Sequence, residues 1–159
     1  YLAMKCSNTV DCHTDSGYQR MTEVDDVRGY GMRGLRLLRQ GTGKDSQKIV
    51  HLIESVCRSH KLTIRSSYGA EMLAAAHGMD EAYPTLIPLR GIKQGMLNPE
   101  QLKTLREEGV TDRVPGNSEP PLRVTLTTDA ESVYKSLSSR DLKVLTERTM
   151  LGYVSWLRE

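Results

Sequence analysis

The chain lacks phenylalanine altogether and has a single tryptophan among its 159 residues. A core without phenylalanine must be built largely from Leu, Ile, Val, Met and Ala. Cysteine is also scarce, with three residues at positions 6, 12 and 57, and none of them forms a Cys-x-x-Cys pair. This argues against a disulfide framework and predicts a reducing compartment, the cytoplasm or the nucleus.

Long apolar segments are absent as well. No run approaches 18 consecutive apolar residues, and the first ten residues, YLAMKCSNTV, do not have the form of a signal peptide. A membrane-spanning segment is therefore not expected. The length predicts a single domain over residues 1–159. Because the chain begins without Met and stops within a helical pattern, we expect it to be a fragment that is incomplete at its C-terminus.

Basic residues are concentrated in one part of the chain. The net charge is only +2, yet residues 28–65 contain nine Lys or Arg against two acidic residues. Such a segment can follow a phosphate backbone, or it can be an exposed strand edge that positive charge protects from pairing, and the sequence leaves both interpretations open. The candidate nucleic-acid-binding residues in this segment are Arg33, Arg36, Arg39, Lys44 and Lys48.

Local sequence patterns predict four strands. The first covers residues 8–15 and ends at the turn Asp15-Ser16-Gly17. Residues 29–38 and 48–56 flank a Gly-rich loop and are expected to pair as a hairpin. Residues 122–128, LRVTLTT, form the fourth strand, with Asp129 at its carboxyl end.

Helices are predicted between and after these strands. Ser66 and Ser67 are good N-caps for a helix that we expect Pro84 and Pro88 to close. A short helix is expected from Asn98, and two more over residues 130–138 and from Thr146. The order predicts an α/β fold with a mixed sheet, in which three antiparallel strands are followed by a parallel fourth.

This topology brings three acidic residues together. Asp15 and Asp129 end neighbouring strands, and Glu71 in the crossover helix can point at the same place. Three carboxylates repel one another unless cations lie between them, and oxygen ligands favour Mg²⁺ or Mn²⁺. Two such ions can hydrolyse a phosphodiester. Each of these acids, considered alone, also has an ordinary structural explanation. Asp15 could be a turn residue, Asp129 could be the N-cap of the following helix, and Glu71 could be an exposed acid in the first turn of its helix.

Two ambiguities remain at this stage. Asp11 shares a strand face with Asp15, so the sequence does not decide which of them is the first ligand. A zinc site built from Cys57-x-x-His60 and the Cys12-His13 pair is the weaker alternative, because adjacent residues of a strand point to opposite faces.

Three segments, in this order, resemble the ribonuclease H domain of copia-type retrotransposon polyproteins. HTDSGYQ at 13–19 is similar to the first-strand Asp motif of that family, and IRSSYGAEMLA at 64–74 is similar to its Ser-Ser-x-x-Ala-Glu helix start. TTDAESVYKSL at 127–137 is similar to its fourth-strand Asp-x-x-Ser motif. The resemblance implies metal ligation and catalysis by Asp15, Glu71 and Asp129, and hydrolysis of RNA in RNA–DNA hybrids.

The chain also departs from the family pattern. The fifth strand and the last acidic ligand of such domains are missing, and residues 84–121 form a long helical and loop insertion. Two functions are therefore expected as alternatives. The first is an RNase H-like nuclease, or its inactive remnant, and the second is a non-catalytic structural or nucleic-acid-binding subunit whose open sheet edge a partner protein covers.

Overall fold

The computed structural model of the chain describes residues 5–20, 29–42, 48–62, 64–94, 98–100, 103, 123–140 and 148–158. The strands are β1 (Lys5–Arg20), β2 (Gly29–Thr42), β3 (Lys48–Ser59) and β4 (Arg123–Thr128). The helices are α1 (Ser67–Gln94), α2 (Glu131–Ser138) and α3 (Leu151–Arg158), and a short 3₁₀ turn (Arg148–Met150) directly precedes α3.

The four strands form one mixed sheet in the order β3-β2-β1-β4. β1 pairs antiparallel with β2, β2 pairs antiparallel with β3, and β4 lies parallel to β1. The predicted α/β class, the hairpin and the parallel fourth strand are therefore confirmed. Alternation accounts for the sheet, because Val10 and Cys12 are completely buried while the intervening Asp11 and His13 are not.

The first strand is longer than the sequence predicts. Asp15, Ser16 and Gly17 do not form a turn, because β1 continues to Arg20 while it pairs with β2. The prediction of a strand ending at Asp15 was wrong because the paired neighbour extends beyond the alternating segment. β4 ends earlier, at Thr128, so the ladder between β1 and β4 stops just before Asp15.

The crossover helix also continues past its predicted end. α1 begins as expected, with the hydroxyl of Ser66 accepting a hydrogen bond of 3.0 Å from the backbone N–H of Gly69. It then passes through Pro84 and Pro88 and ends at Gln94. Both prolines are exposed and four residues apart, so the carbonyls that lose their partners face water, while Leu86 on the other side stays buried.

The helices lie on one side of the sheet, where α1 and α2 contact the strands and α3 packs against α1 and α2. The side chains of Leu73, Val133 and Val154, one from each helix, share a buried cluster, and β4 contributes Leu126 to it. A second cluster joins α1 to β1 and β2. The contact at Gly78 is especially close, since a Cβ atom there would lie 2.4 Å from Cγ2 of Thr14 and 2.8 Å from Sγ of Cys12.

The opposite face of the sheet carries no helix in the described part of the chain. Its exposed apolar side chains include Met32 on β2, and Val50 and Leu52 on β3, which are 50–57% exposed. A short helix is predicted to start at Asn98. Within it, the structure describes Pro99, Glu100 and Lys103 as helical, and the remaining residues lie outside the described ranges. Most of the expected insertion over 84–121 also lies outside these ranges. Within those ranges, no helix has the length and apolar character needed to cross a membrane.

Candidate metal centre

The register between β1 and β4 places two acidic residues side by side. Thr14 and Thr128 are the last paired residues of the two parallel strands, so Asp15 and Asp129 follow at the same level. The first turns of the crossover helix bring Glu71 to the same place, where β4 ends beside the middle of β1. One carboxylate oxygen from each of the three residues lies within 4.8 Å of the others. The structure therefore brings the three predicted ligands together.

Glu71 is the least exposed member of this carboxylate cluster. One of its oxygens, Oε2, is buried without a hydrogen-bond partner among the described residues. The pKa of Glu71 is raised to about 7, first by burial and then by the charges of Asp15 and Asp129, while a hydrogen bond donated by the backbone N–H of Ser16 opposes the rise. A large share of Glu71 is therefore protonated near neutral pH unless a cation compensates the three negative charges.

The structural roles that each acid would have on its own are not observed. Asp15 lies within β1 and not in a turn. Asp129 does not cap α2, since the N-cap residue is Ala130 and no side chain makes a capping hydrogen bond. The backbone N–H of Ala130 instead donates a hydrogen bond of 3.2 Å to the hydroxyl oxygen of Thr128. Glu71 lies beyond the first turn of α1, which contains no acidic residue. The three carboxylates are thus oriented by the fold toward one another.

The structure also separates the two aspartates on β1. Asp11 accepts a hydrogen bond of 2.8 Å from the side-chain amide of Gln40 on β2 and does not belong to the cluster. Asp15 belongs to it. The difference follows from the length of β4, which flanks Asp11 as a paired strand and ends before it reaches Asp15. Asp15 is therefore the candidate first ligand.

The carboxylate cluster can hold a metal ion, and it is the one group with this property among the residues that the structure describes. Oxygen-only ligands of this kind suit hard divalent cations. The zinc alternative finds no support there, because Cys57 is exposed, whereas Cys12 and His60 are buried and form no ligand group with it. Burial also raises the pKa of the Cys12 thiol to about 11, which disfavours the thiolate that zinc requires.

The five candidate cations do not form one surface. Arg33 lies opposite Ser16, on the face that the helices cover, and Arg39 on the same face is only 7% exposed. Arg36 is exposed and lies three residues from each of them, hence on the opposite face. Lys48 is exposed at the start of β3, and Lys44 lies outside the described residues. A common basic surface made of all five is therefore not formed.

A polar cluster beside the carboxylates is not apparent from the sequence. Nε2 of His60 lies 3.2 Å from the hydroxyl oxygen of Ser16, and the ring of His60 stacks on that of His77, with 6.3 Å between centroids. Burial lowers the pKa of both histidines, and the positive charge of Arg33 lowers it further. Ser16 therefore links this cluster to Glu71 through its backbone N–H.

We compared the chain with protein-family models, curated proteins and solved structures, and none of the three comparisons gives a match. The candidate function therefore depends on the residues and on their geometry.

Proposed function

We propose that the chain is an RNase H-like, metal-dependent nuclease domain that hydrolyses the RNA strand of RNA–DNA hybrids. The observation that carries the proposal is the convergence of Asp15, Glu71 and Asp129, whose carboxylate oxygens lie within 4.8 Å of one another. Each of these residues lies in one of the three segments that resemble the retrotransposon ribonuclease H motifs. The four-stranded mixed sheet with a helical crossover from β3 to β4 agrees with that resemblance.

The same three residues would hold Mg²⁺ or Mn²⁺, and their donor set fits these ions. The unpartnered, buried oxygen of Glu71 is the strongest sign of fit, because such an atom is costly unless a ligand satisfies it. A pair of divalent ions held by these residues would supply an activated water and would stabilise the leaving oxygen of a phosphodiester.

The protein itself contributes the positions of the three carboxylates and their negative charge. β1 and β4 present Asp15 and Asp129 at the same level, and α1 holds Glu71 above them. The N–H of Ser16 keeps the Glu71 carboxylate oriented and favours its ionised form. The three negative charges also repel phosphate, so the residues cannot accept a nucleic-acid substrate without cations.

The direct test measures cleavage of a labelled RNA–DNA hybrid with Mg²⁺ or Mn²⁺ by the 159-residue chain and by Asp129→Asn. We expect cleavage of the RNA strand by the unmodified chain and a loss of at least about 100-fold in the variant, since even groups that only support a metal ligand are worth 10–100-fold. Asp11→Asn is the matched control and should retain activity. Cleavage that persists in Asp129→Asn would exclude the proposed site.

A second function is favoured by a different observation. The helix-free face of the sheet leaves Met32, Val50 and Leu52 about half exposed, and exposed apolar surface of this kind often marks a contact with another protein. A non-catalytic subunit that uses this face would show no cleavage with either ion and would depend on its partner for solubility. Cleavage by a monodisperse, isolated chain would exclude this alternative.

A further inference from the structure

A second concave site lies between α1 and the C-terminal helix. It is an open groove of about 350 Å³, a volume typical of sites for small ligands or single side chains. None of its residues belongs to the carboxylate cluster. The residues that line the groove are Asp80, Thr149, Gly152, Tyr153 and Trp156.

Two aromatic side chains form one wall of this groove. Tyr153 and Trp156 are three residues apart in α3, so they share a face of the helix. Tyr153 packs in part against the buried core, which holds its ring in place. Trp156, the single tryptophan of the chain, remains 39% exposed. The groove is therefore lined by two aromatic rings, and the face of such a ring attracts cations.

The charge of the groove selects the kind of ligand. Asp80 is exposed and is the one charged residue among the five that line it. A guanidinium group is planar, stacks on aromatic rings and pairs with a carboxylate through two hydrogen bonds. A nucleobase would also stack on Trp156, but the carboxylate of Asp80 repels the phosphates attached to it. Aromatic rings beside an acid thus favour an organic cation over a nucleic acid.

We propose that this groove binds an arginine side chain of a basic protein segment. The inference does not depend on the proposed nuclease function, since it uses none of the three cluster residues. It assigns to α3 a role in recognising a protein partner.

The fluorescence of Trp156 provides a direct measurement, because no other tryptophan contributes. The 159-residue chain is titrated with acetyl-Gly-Arg-Gly-amide and with the same peptide containing citrulline, the neutral analogue of arginine. We expect a saturable change in emission with the arginine peptide and an affinity roughly tenfold lower for the citrulline peptide, because the latter loses both the cation–π and the ionic attraction.

Three variants distinguish the contributions of the charge of the groove, the space within it and non-specific electrostatic attraction to the binding of the peptide. Asp80→Asn should weaken binding of the arginine peptide roughly fivefold. Gly152→Leu should abolish it, since no atom lies within 4 Å of a Cβ at this position and the new side chain can fill the groove without disturbing the fold. Glu131→Gln, which removes an exposed acid from α2, is the matched control and should bind normally. Circular dichroism verifies that each variant is folded.

The proposal fails if the citrulline peptide binds as tightly as the arginine peptide, or if Glu131→Gln weakens binding as much as Asp80→Asn. It also fails if Gly152→Leu binds normally, because the ligand would then lie elsewhere. Saturable quenching of Trp156 by a short single-stranded oligonucleotide, retained in Asp80→Asn, would identify the groove as a base-stacking site instead.

Discussion

His60 and Glu71 contact the same residue, Ser16, from two sides. The imidazole Nε2 of His60 lies 3.2 Å from the Ser16 hydroxyl oxygen, and the Ser16 backbone N–H donates to the Glu71 carboxylate. Burial, followed by the charge of Arg33 and the proximity of His77, lowers the pKa of His60 to about 4, whereas the pKa of Glu71 is raised to about 7. Near neutral pH the His60 ring is therefore uncharged, and a large share of Glu71 is protonated.

Acidification should destabilise the fold through His60. Its folded pKa of about 4 lies below the reference value of 6.5, so the unfolded chain takes up the proton first. The stability contributed by the neutral ring is present above pH 6.5 and is lost as the pH falls toward 4. We expect the urea midpoint of His60→Gln to vary less over this window than that of the unmodified chain. His51→Gln, at an exposed position on β3, should behave like the unmodified chain.

Glu71 should have the opposite effect in the absence of divalent cations. Its folded pKa of about 7 lies above the reference value of 4.5, so its favourable contribution is present below pH 4.5 and is lost as the pH rises through 7. Glu71→Gln should therefore be more stable than the unmodified chain above pH 7 in EDTA. Thermal unfolding at a series of pH values tests this. Added Mg²⁺ should stabilise the unmodified chain and leave Glu71→Gln nearly unchanged.

Metal binding should distinguish the two aspartates of β1. Asp15→Asn removes a carboxylate from the cluster, and its affinity for Mn²⁺, measured by electron paramagnetic resonance, should fall by at least about 100-fold. Asp11→Asn makes the same chemical change on the same strand face but affects only the contact with Gln40. Equal losses in the two variants would show that the binding is a general effect of charge.

The tight contact at Gly78 predicts a difference between two glycines of α1. Gly78→Ala places a methyl group against Thr14 and Cys12 and should destabilise the protein by about 1–3 kcal/mol. Gly91→Ala meets no atom within 4 Å and should stabilise it by about 0.5–1 kcal/mol through helix propensity. Denaturant unfolding of the two variants measures both changes. Equal effects would mean that the helix is not held against β1 at Gly78.

Local patterns were sufficient to predict most of the framework. Alternating side chains identified β1 and β4, the Gly-rich loop identified the hairpin of β2 and β3, and Ser66 identified the start of α1. The ends were harder, because they depend on neighbours: β1 continues through Asp15 since β2 remains beside it, and α1 passes Pro84 since its other side is buried. Side-chain alternation also places Arg33 and Arg36 on opposite faces, so the density of basic residues along the chain does not by itself predict a common surface.

Part of the carboxylate cluster could also be predicted from local sequence patterns. Glu71 adjoins a recognisable helix start and Asp129 a recognisable strand end, and Asp15 lies on the neighbouring strand at the level of Asp129, so the topology indicated their convergence. His60 has no such local signal, because it lies 44 residues from Ser16 in the sequence and the contact forms only when β3 and β1 share a sheet with α1 above it. Contacts between residues so far apart in the sequence can be identified only from the folded structure.

The close approach of the backbones of α1 and β1 at Gly78 leads to an expectation about ion selectivity. Gly78 follows Glu71 by about two helical turns on the same face of α1, so the distance between this helix and β1 also sets the height of Glu71 above Asp15. Mg²⁺ requires near-ideal octahedral geometry, whereas Ca²⁺ accepts longer and more variable distances. We therefore expect that enlarging Gly78, a residue without a functional group, shifts the ion preference of the carboxylates toward the larger ion.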